Sequence, residues 1–175
     1  MKKNLILLFV VAIVLQTSLS FGAETNGFKR IKNHRNRFVK LLEQQYDKYL
    51  KASTQGDAEA YKQIMTNETV SRMEEYIKMQ KLANDLSSFL KDFAKNNPDY
   101  RQFKFAFCDQ GEQLSRVAYQ RLGTENPATK KKPLEFFVMF FQFENNEWKM
   151  SYNVQSWIPE TNEDGSKASV EQVLK

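Results

Sequence analysis

Three side chains have the types and spacing for proton-transfer chemistry: Asp109, Tyr119 and Tyr152. From Gln102 to Asp109 the residues alternate strictly, so parity places Asp109 on one strand face with Phe103, Phe105 and Phe107. Apolar company raises a carboxyl pKa, as a general base working beside a carbonyl or hydroxyl requires. Tyr119 and Tyr152, from neighbouring strands, would supply hydroxyl donors. The plainer assignment is that Asp109 opens an Asp-Gln-Gly turn and the tyrosines are core residues with one wet end. Strand-end aspartates do turn chemistry more often than catalysis, so the catalytic set stands as the alternative. The sole histidine, His34, falls among Lys29, Arg30, Lys32, Arg35 and Arg37, poor surroundings for a buried base.

A second group, Tyr61, Tyr76, Tyr119, Met139, Met150 and Tyr152, would suit a noncatalytic pocket for an apolar or aromatic small molecule. Methionine and tyrosine adapt to irregular ligands, but the same residues fill cores, which is their commoner use. The sequence has no histidine cluster, cysteine pair, glycine-rich phosphate loop or catalytic serine motif. Zinc, nucleotide and hydrolase chemistry are therefore disfavoured, and no metal or cofactor is expected. Basic residues between Lys29 and Lys40 and the Lys130-Lys131-Lys132 run invite a polyanion or membrane surface, yet nearby acids nearly cancel them. No aromatic residues interleave the lysine run, so no nucleic acid partner is expected. Asn67-Glu68-Thr69 matches a glycosylation acceptor, although helix capping explains it as well.

These residues need a scaffold, and the 175-residue chain has enough mass for one domain. Lys2 and Lys3, the apolar run Leu5 to Leu15, and small residues at Ser18, Ser20, Gly22 and Ala23 have the order of a cleaved export signal. The run stops at Gln16, short of the roughly 20 apolar residues that span a bilayer, so no stable membrane anchor is expected after cleavage. The division is thus a signal peptide at 1–23, one domain at 24–158 and a polar tail at 159–175, in a protein exported to the periplasm or secreted. Losing the leader lowers the formal charge from +5 to about +3, too mild an excess to dictate a partner. Cys108 is the only cysteine, so the core rests on apolar burial, chiefly of Phe and Tyr, without an intrachain disulfide.

Ile31, Phe38, Leu42, Tyr46, Tyr49 and Leu50 recur at helical steps, predicting a helix over Phe28 to Ala52. The cations ahead of Phe38 oppose the helix dipole and argue for a later start. Gly56 ends this helix, Asp57 caps a short second one, and Thr66 or Asn67 caps a third. A phase slip at Lys78 to Lys81 divides or bends the third, and Pro98 ends the helical part. Strands then follow at Gln102 to Asp109 and Leu114 to Leu122, and Val170 to Leu174 can form a closing turn.

Leu134 to Trp157 is the firmest element, a hairpin turning at Asn145-Asn146, residues that tolerate the positive φ of a type I′ turn. Pairing outward from Glu144 opposite Glu147 sets Phe143, Phe141, Met139 and Phe137 against Trp148, Met150, Tyr152 and Val154 on one apolar face. The other face sets Gln142, Phe140, Val138 and Phe136 against Lys149, Ser151, Asn153 and Gln155. Phe136, Val138 and Phe140 then lack cover, and a homodimer through this outer sheet face would provide it. A C-terminal segment folding back would serve equally.

Helices before an antiparallel meander make an α+β domain, with N-terminal helices packed on the concave face of a curved four-stranded sheet. This order, the Gly56-Asp57-Ala58-Glu59-Ala60 break and the Phe143-Glu144-Asn145-Asn146-Glu147-Trp148 hairpin resemble the nuclear transport factor 2-like superfamily over Phe38 to Trp157. The resemblance implies a cone-shaped fold, a pocket between sheet and helices, and dimerisation by the outer face. Superfamily members include enzymes, ligand binders and assembly modules, so the form alone selects no activity. The reading is an exported noncatalytic binding or interaction domain, with a small-molecule isomerase or dehydratase using Asp109 and Tyr119 or Tyr152 as the alternative.

Overall fold

Among the described residues, amphipathic periodicity builds four helices ahead of the four longer strands. The computed structural model describes residues 27–81, 85–125, 127–128, 130, 132–158 and 166–174. The leader expected at 1–23 and the part of the tail at 159–165 lie outside the described residues. The helices are α1 (Arg37–Gln55), α2 (Ala58–Ile64), α3 (Asn67–Gln80) and α4 (Leu86–Ala94). α1 starts at the cap Asn36, whose side chain accepts from the Phe38 N–H, nine residues later than the longest apolar pattern allows. Gly56 ends α1 in the left-handed conformation at φ 68°, and Asp57 caps α2 immediately. Thr66 caps α3. The phase slip is a true break, with Lys81 left-handed at φ 49° and Asp85 capping a separate α4.

Five strands, rather than four, form the sheet: β1 (Lys29–Ile31), β2 (Lys104–Gln110), β3 (Leu114–Leu122), β4 (Leu134–Glu144) and β5 (Glu147–Ile158). They lie side by side in chain order, each antiparallel to the next, in an open sheet. β1 occupies residues expected to begin the first helix. Three residues carry no periodicity of their own, and they are a strand because Arg30 pairs opposite Asp109 of β2. A 3-10 turn at Tyr100–Gln102 precedes β2, and α5 (Val170–Val173) follows the sheet. The architecture is α+β.

Two bulges decide which side chains share a layer. In β2 the register shifts between Phe105 and Phe107, leaving Ala106 without a partner and reversing the parity of everything after it. In the terminal hairpin Asn145 and Asn146 turn with φ 54° and 64°, and Phe143–Trp148 and Phe141–Met150 pair as the turn dictates. Ser151 is then extra, so Phe140 faces Tyr152, Val138 faces Val154 and Phe137 faces Gln155. α3 fixes this bulge: the Thr66 N–H donates to the Met150 carbonyl at 3.0 Å and the Thr69 hydroxyl to the Ser151 carbonyl at 2.9 Å.

The sheet consequently separates two apolar layers. The inner one joins Val39, Leu42, Tyr46 and Tyr49 of α1 to Val117, Tyr119, Phe137, Met139, Phe141 and Met150. The outer one joins Phe107, Ala118, Phe136, Val138 and Phe140 to Val170, with Phe28, Tyr152, Val154 and Leu174 against them. Phe136, Val138 and Phe140 are thus buried within a single chain, and Val170 is fully buried among them. The uncovered patch on which an outer-face dimer depends is closed by α5, the fold-back alternative. The bulge at Ser151 contributes too, because it brings Tyr152 and Val154 to this face in place of Ser151 and Asn153.

Candidate functional site

The apolar stripe of α1 contains one charged residue. Glu43 lies four residues after Val39 and three before Tyr46, so helical geometry turns it toward the sheet, where it is 4 % exposed. Its carboxylate collects three donors. The Tyr119 hydroxyl donates to Oε1 at 2.6 Å, His34 Nε2 stands 2.5 Å from the same oxygen, and Lys40 Nζ donates to Oε2 at 2.7 Å. His34 is oriented by stacking on Phe105, with ring centroids 4.8 Å apart. Tyr119 is held by Tyr100 at 5.2 Å and Phe105 at 5.9 Å. Solvent reaches this cluster through the half-exposed His34 and Lys40.

Burial pushes the Glu43 pKa upward, but hydrogen bonds from Lys40, Tyr119 and His34 outweigh it and hold the group below the ordinary value of 4.5. Burial, together with the bond to the Glu43 carboxylate, drives the Tyr119 hydroxyl far above its ordinary range. At neutral pH the pair is therefore an ionised acceptor and a protonated donor. A carboxylate so stabilised is a weak proton acceptor, and its oxygens already serve three partners. The arrangement fastens α1 to β3 and to the β1–α1 connection.

Asp109 and Tyr152 are not in this cluster. The Ala106 bulge turns Asp109 outward, into a cross-strand row of Arg30, Asp109, Arg116, Phe140 and Tyr152. Arg30 grips Asp109 through Nε to Oδ1 at 2.6 Å and Nη2 to Oδ2 at 2.8 Å, and Arg116 Nε reaches Oδ2 at 2.9 Å. Arg116 also donates to the Leu174 carbonyl, and Arg30 and Lys32 approach Glu171, so the ion cluster ties α5 to the sheet. Tyr152 stacks on Phe140 at 4.4 Å. Only Tyr119 of the expected catalytic set lies inside, and the set is not brought together. Both displacements have one cause, since each bulge moves the following residues to the opposite face.

Of the expected pocket lining, Tyr61, Met139 and Met150 are buried members of the inner core, and Tyr76 is buried on α3. Tyr152 is excluded by its outward face. Rings of Tyr46, Tyr100, Tyr119 and Phe137 fill the inner layer at centroid separations of 5.2 to 6.4 Å. Beside them, the Tyr49 hydroxyl donates to Asn97 Oδ1 at 2.9 Å, and burial pushes its pKa up to about 12. Asn97 Nδ2 is buried there with no hydrogen-bond partner among the described residues. A half-open groove of about 470 Å³ between α1, α2 and the hairpin tip is lined by Lys48, Lys51, Gln55, Asp57, Gln63 and Glu147, among others, and includes no member of the Glu43 cluster.

Among the described residues no group of three or more His, Cys, Asp or Glu side chains is placed to hold a metal ion, and no helix is long and apolar enough to cross a membrane. Burial pushes the Cys108 thiol up to about 12, which makes it a core residue rather than a nucleophile. Glu43 is the residue that the pattern leaves unmarked, and His34, set aside above for its basic surroundings, is paired with it. The signal for Glu43 was its position inside the apolar stripe of α1, whereas nothing in the sequence near His34 marks its pairing with Glu43. No protein-family model, curated protein or solved structure matches the chain.

Proposed function

We propose that this protein is an exported, noncatalytic binding or interaction domain of nuclear transport factor 2-like form. The observation that carries the reading is the state of its two buried carboxylates. Asp109 is clamped by two arginines on the outer face, and Glu43 is saturated by three donors with a lowered pKa. Both carboxylates have their oxygens engaged by donors, which favours the noncatalytic reading over the isomerase or dehydratase alternative. The α+β order, with α1 to α4 against the inner face of an antiparallel sheet and α5 against the outer one, is compatible with the cone form.

A second reading concerns what is bound. The buried Asn97 Nδ2, beside the Tyr49 hydroxyl, favours a small hydrogen-bonding ligand over the apolar one that the Met and Tyr stripe suggests. Native mass spectrometry of protein purified from its own host tests both. The expected result is a retained adduct that is lost in Asn97→Leu. A bare chain that enolises small ketones, with the rate abolished in Glu43→Gln, would overturn the noncatalytic reading.

A further inference from the structure

The outer apolar layer is roofed from two directions. On one side Phe28 packs on it, and Arg30 of β1 lies over the Phe107 ring with its guanidinium carbon 4.0 Å from the centroid. On the other, Val170 of α5 is fully buried and Leu174 packs against the layer. Both roofing elements are small. α5 has four residues, far below the length at which an isolated helix persists in water, and β1 adds only a three-residue ladder to one side of β2. Among the described side chains of these two elements, β1 buries Ile31 and α5 buries Val170. With so little of its own to hold it, each depends on its neighbours for attachment.

Those neighbours include each other. Glu171 of α5 stands 3.6 Å from Arg30 Nη1 and 3.5 Å from Lys32 Nζ, so the first turn of α5 meets β1 and the residue after it. Arg30 also donates twice to Asp109, Asp109 accepts from Arg116, and Arg116 donates to the Leu174 carbonyl at the far end of α5. The ion cluster therefore closes a loop from Glu171 through β1 and the sheet back to Leu174. We propose that β1 and α5 form one latch over the outer layer, opening and closing together while β2 to β5 stay paired. Detaching α5 takes Glu171 away from Arg30 and Lys32, and detaching β1 takes from Asp109 both bonds of Arg30. Either loss weakens the attachment of the other element, which is the condition for a cooperative local opening. β2 to β5 keep their own ladders and the inner layer beneath them. With the latch open, Phe136, Val138 and Phe140 come to the surface as one apolar patch, so the ion cluster controls access to that face.

The latch is independent of the ligand and noncatalytic readings, and native-state hydrogen exchange of the intact protein, followed by NMR, tests it. The β1 amides bonded into β2 report one half, and the Leu174 amide, which donates to the Val170 carbonyl at 3.1 Å, reports the other. In the wild type both halves should exchange through openings of equal free energy, at least about tenfold more often than the ladder amides between β3 and β4, which wait for global unfolding. Val170→Ala removes buried methyl groups of α5 alone and should speed exchange in both halves by a common factor of about ten. Glu171→Gln should do the same by a smaller common factor, roughly two, because its pairs are partly exposed. Acceleration at Leu174 with the β1 amides unchanged would overturn the proposal. So would a wild type in which α5 opens alone, or in which β1 exchanges no faster than the β3–β4 ladder.

Discussion

Replacing Asp109 by alanine separates a structural carboxylate from a catalytic one. The side chain is 3 % exposed and accepts three charge-assisted bonds, two from Arg30 and one from Arg116. Arg30 is a third exposed and keeps Glu171 within 3.6 Å, so its loss of Asp109 contributes little after solvent screening. Arg116 is different: its side chain is 8 % exposed, and its Nε donates to Asp109 Oδ2 at 2.9 Å. Breaking a buried pair on one side costs about 3–5 kcal/mol, and the more deeply buried Arg116 bears more of it than Arg30. Asp109→Ala should therefore lower the unfolding free energy by about 3–5 kcal/mol in urea titration. The double variant Asp109→Leu with Arg116→Met removes both charges and should recover most of the loss. A loss below about 1 kcal/mol in the single variant, or a double variant no more stable than the single, refutes the clamp.

Other perturbations test neighbouring parts of the account. Tyr119→Phe removes one of three donors to buried Glu43 and should cost about 1–2 kcal/mol in the same titration, with the fold intact by circular dichroism. Because the folded pKa of Glu43 lies below its unfolded value, its stabilisation is present above the ordinary carboxylate range and lost as pH falls toward the folded value. Glu43→Gln should accordingly flatten the acid side of a melting-temperature profile. A chain ending at Lys167 lacks Val170, exposes Val138 and Phe140, and should bind a hydrophobic dye that the full chain does not bind. Gly56→Ala combines a φ of +68° with a Cβ 2.8 Å from the Ser87 carbonyl, and thermal melts should show a loss of more than about 1 kcal/mol.

What could be read from the chain follows the range of the forces involved. Asn145-Asn146, Gly56-Asp57 and Thr66 are local signals, and the turn, helix break and cap stand where those residues put them. β1 and both bulges are non-local. Lys29 to Ile31 is a strand only through β2, and the Ser151 bulge is fixed by Thr66 and Thr69, more than eighty residues earlier. Strict alternation therefore misplaced Asp109 and Tyr152 by one face, while Tyr119, on a strand without a bulge, lies inside as parity predicts. The polar neighbour strand of the hairpin was a product of the same missed residue. With Ser151 bulged out, apolar Tyr152 and Val154 face outward and Asn153 and Gln155 face inward.

The noncatalytic reading depends most on the protonation of Glu43. Carboxyl-detected NMR titration of the intact protein, with Glu43→Gln used to assign its resonance, should show a midpoint below the ordinary 4.5. A midpoint raised to about 6 or higher would mark a poised base and contradict the account.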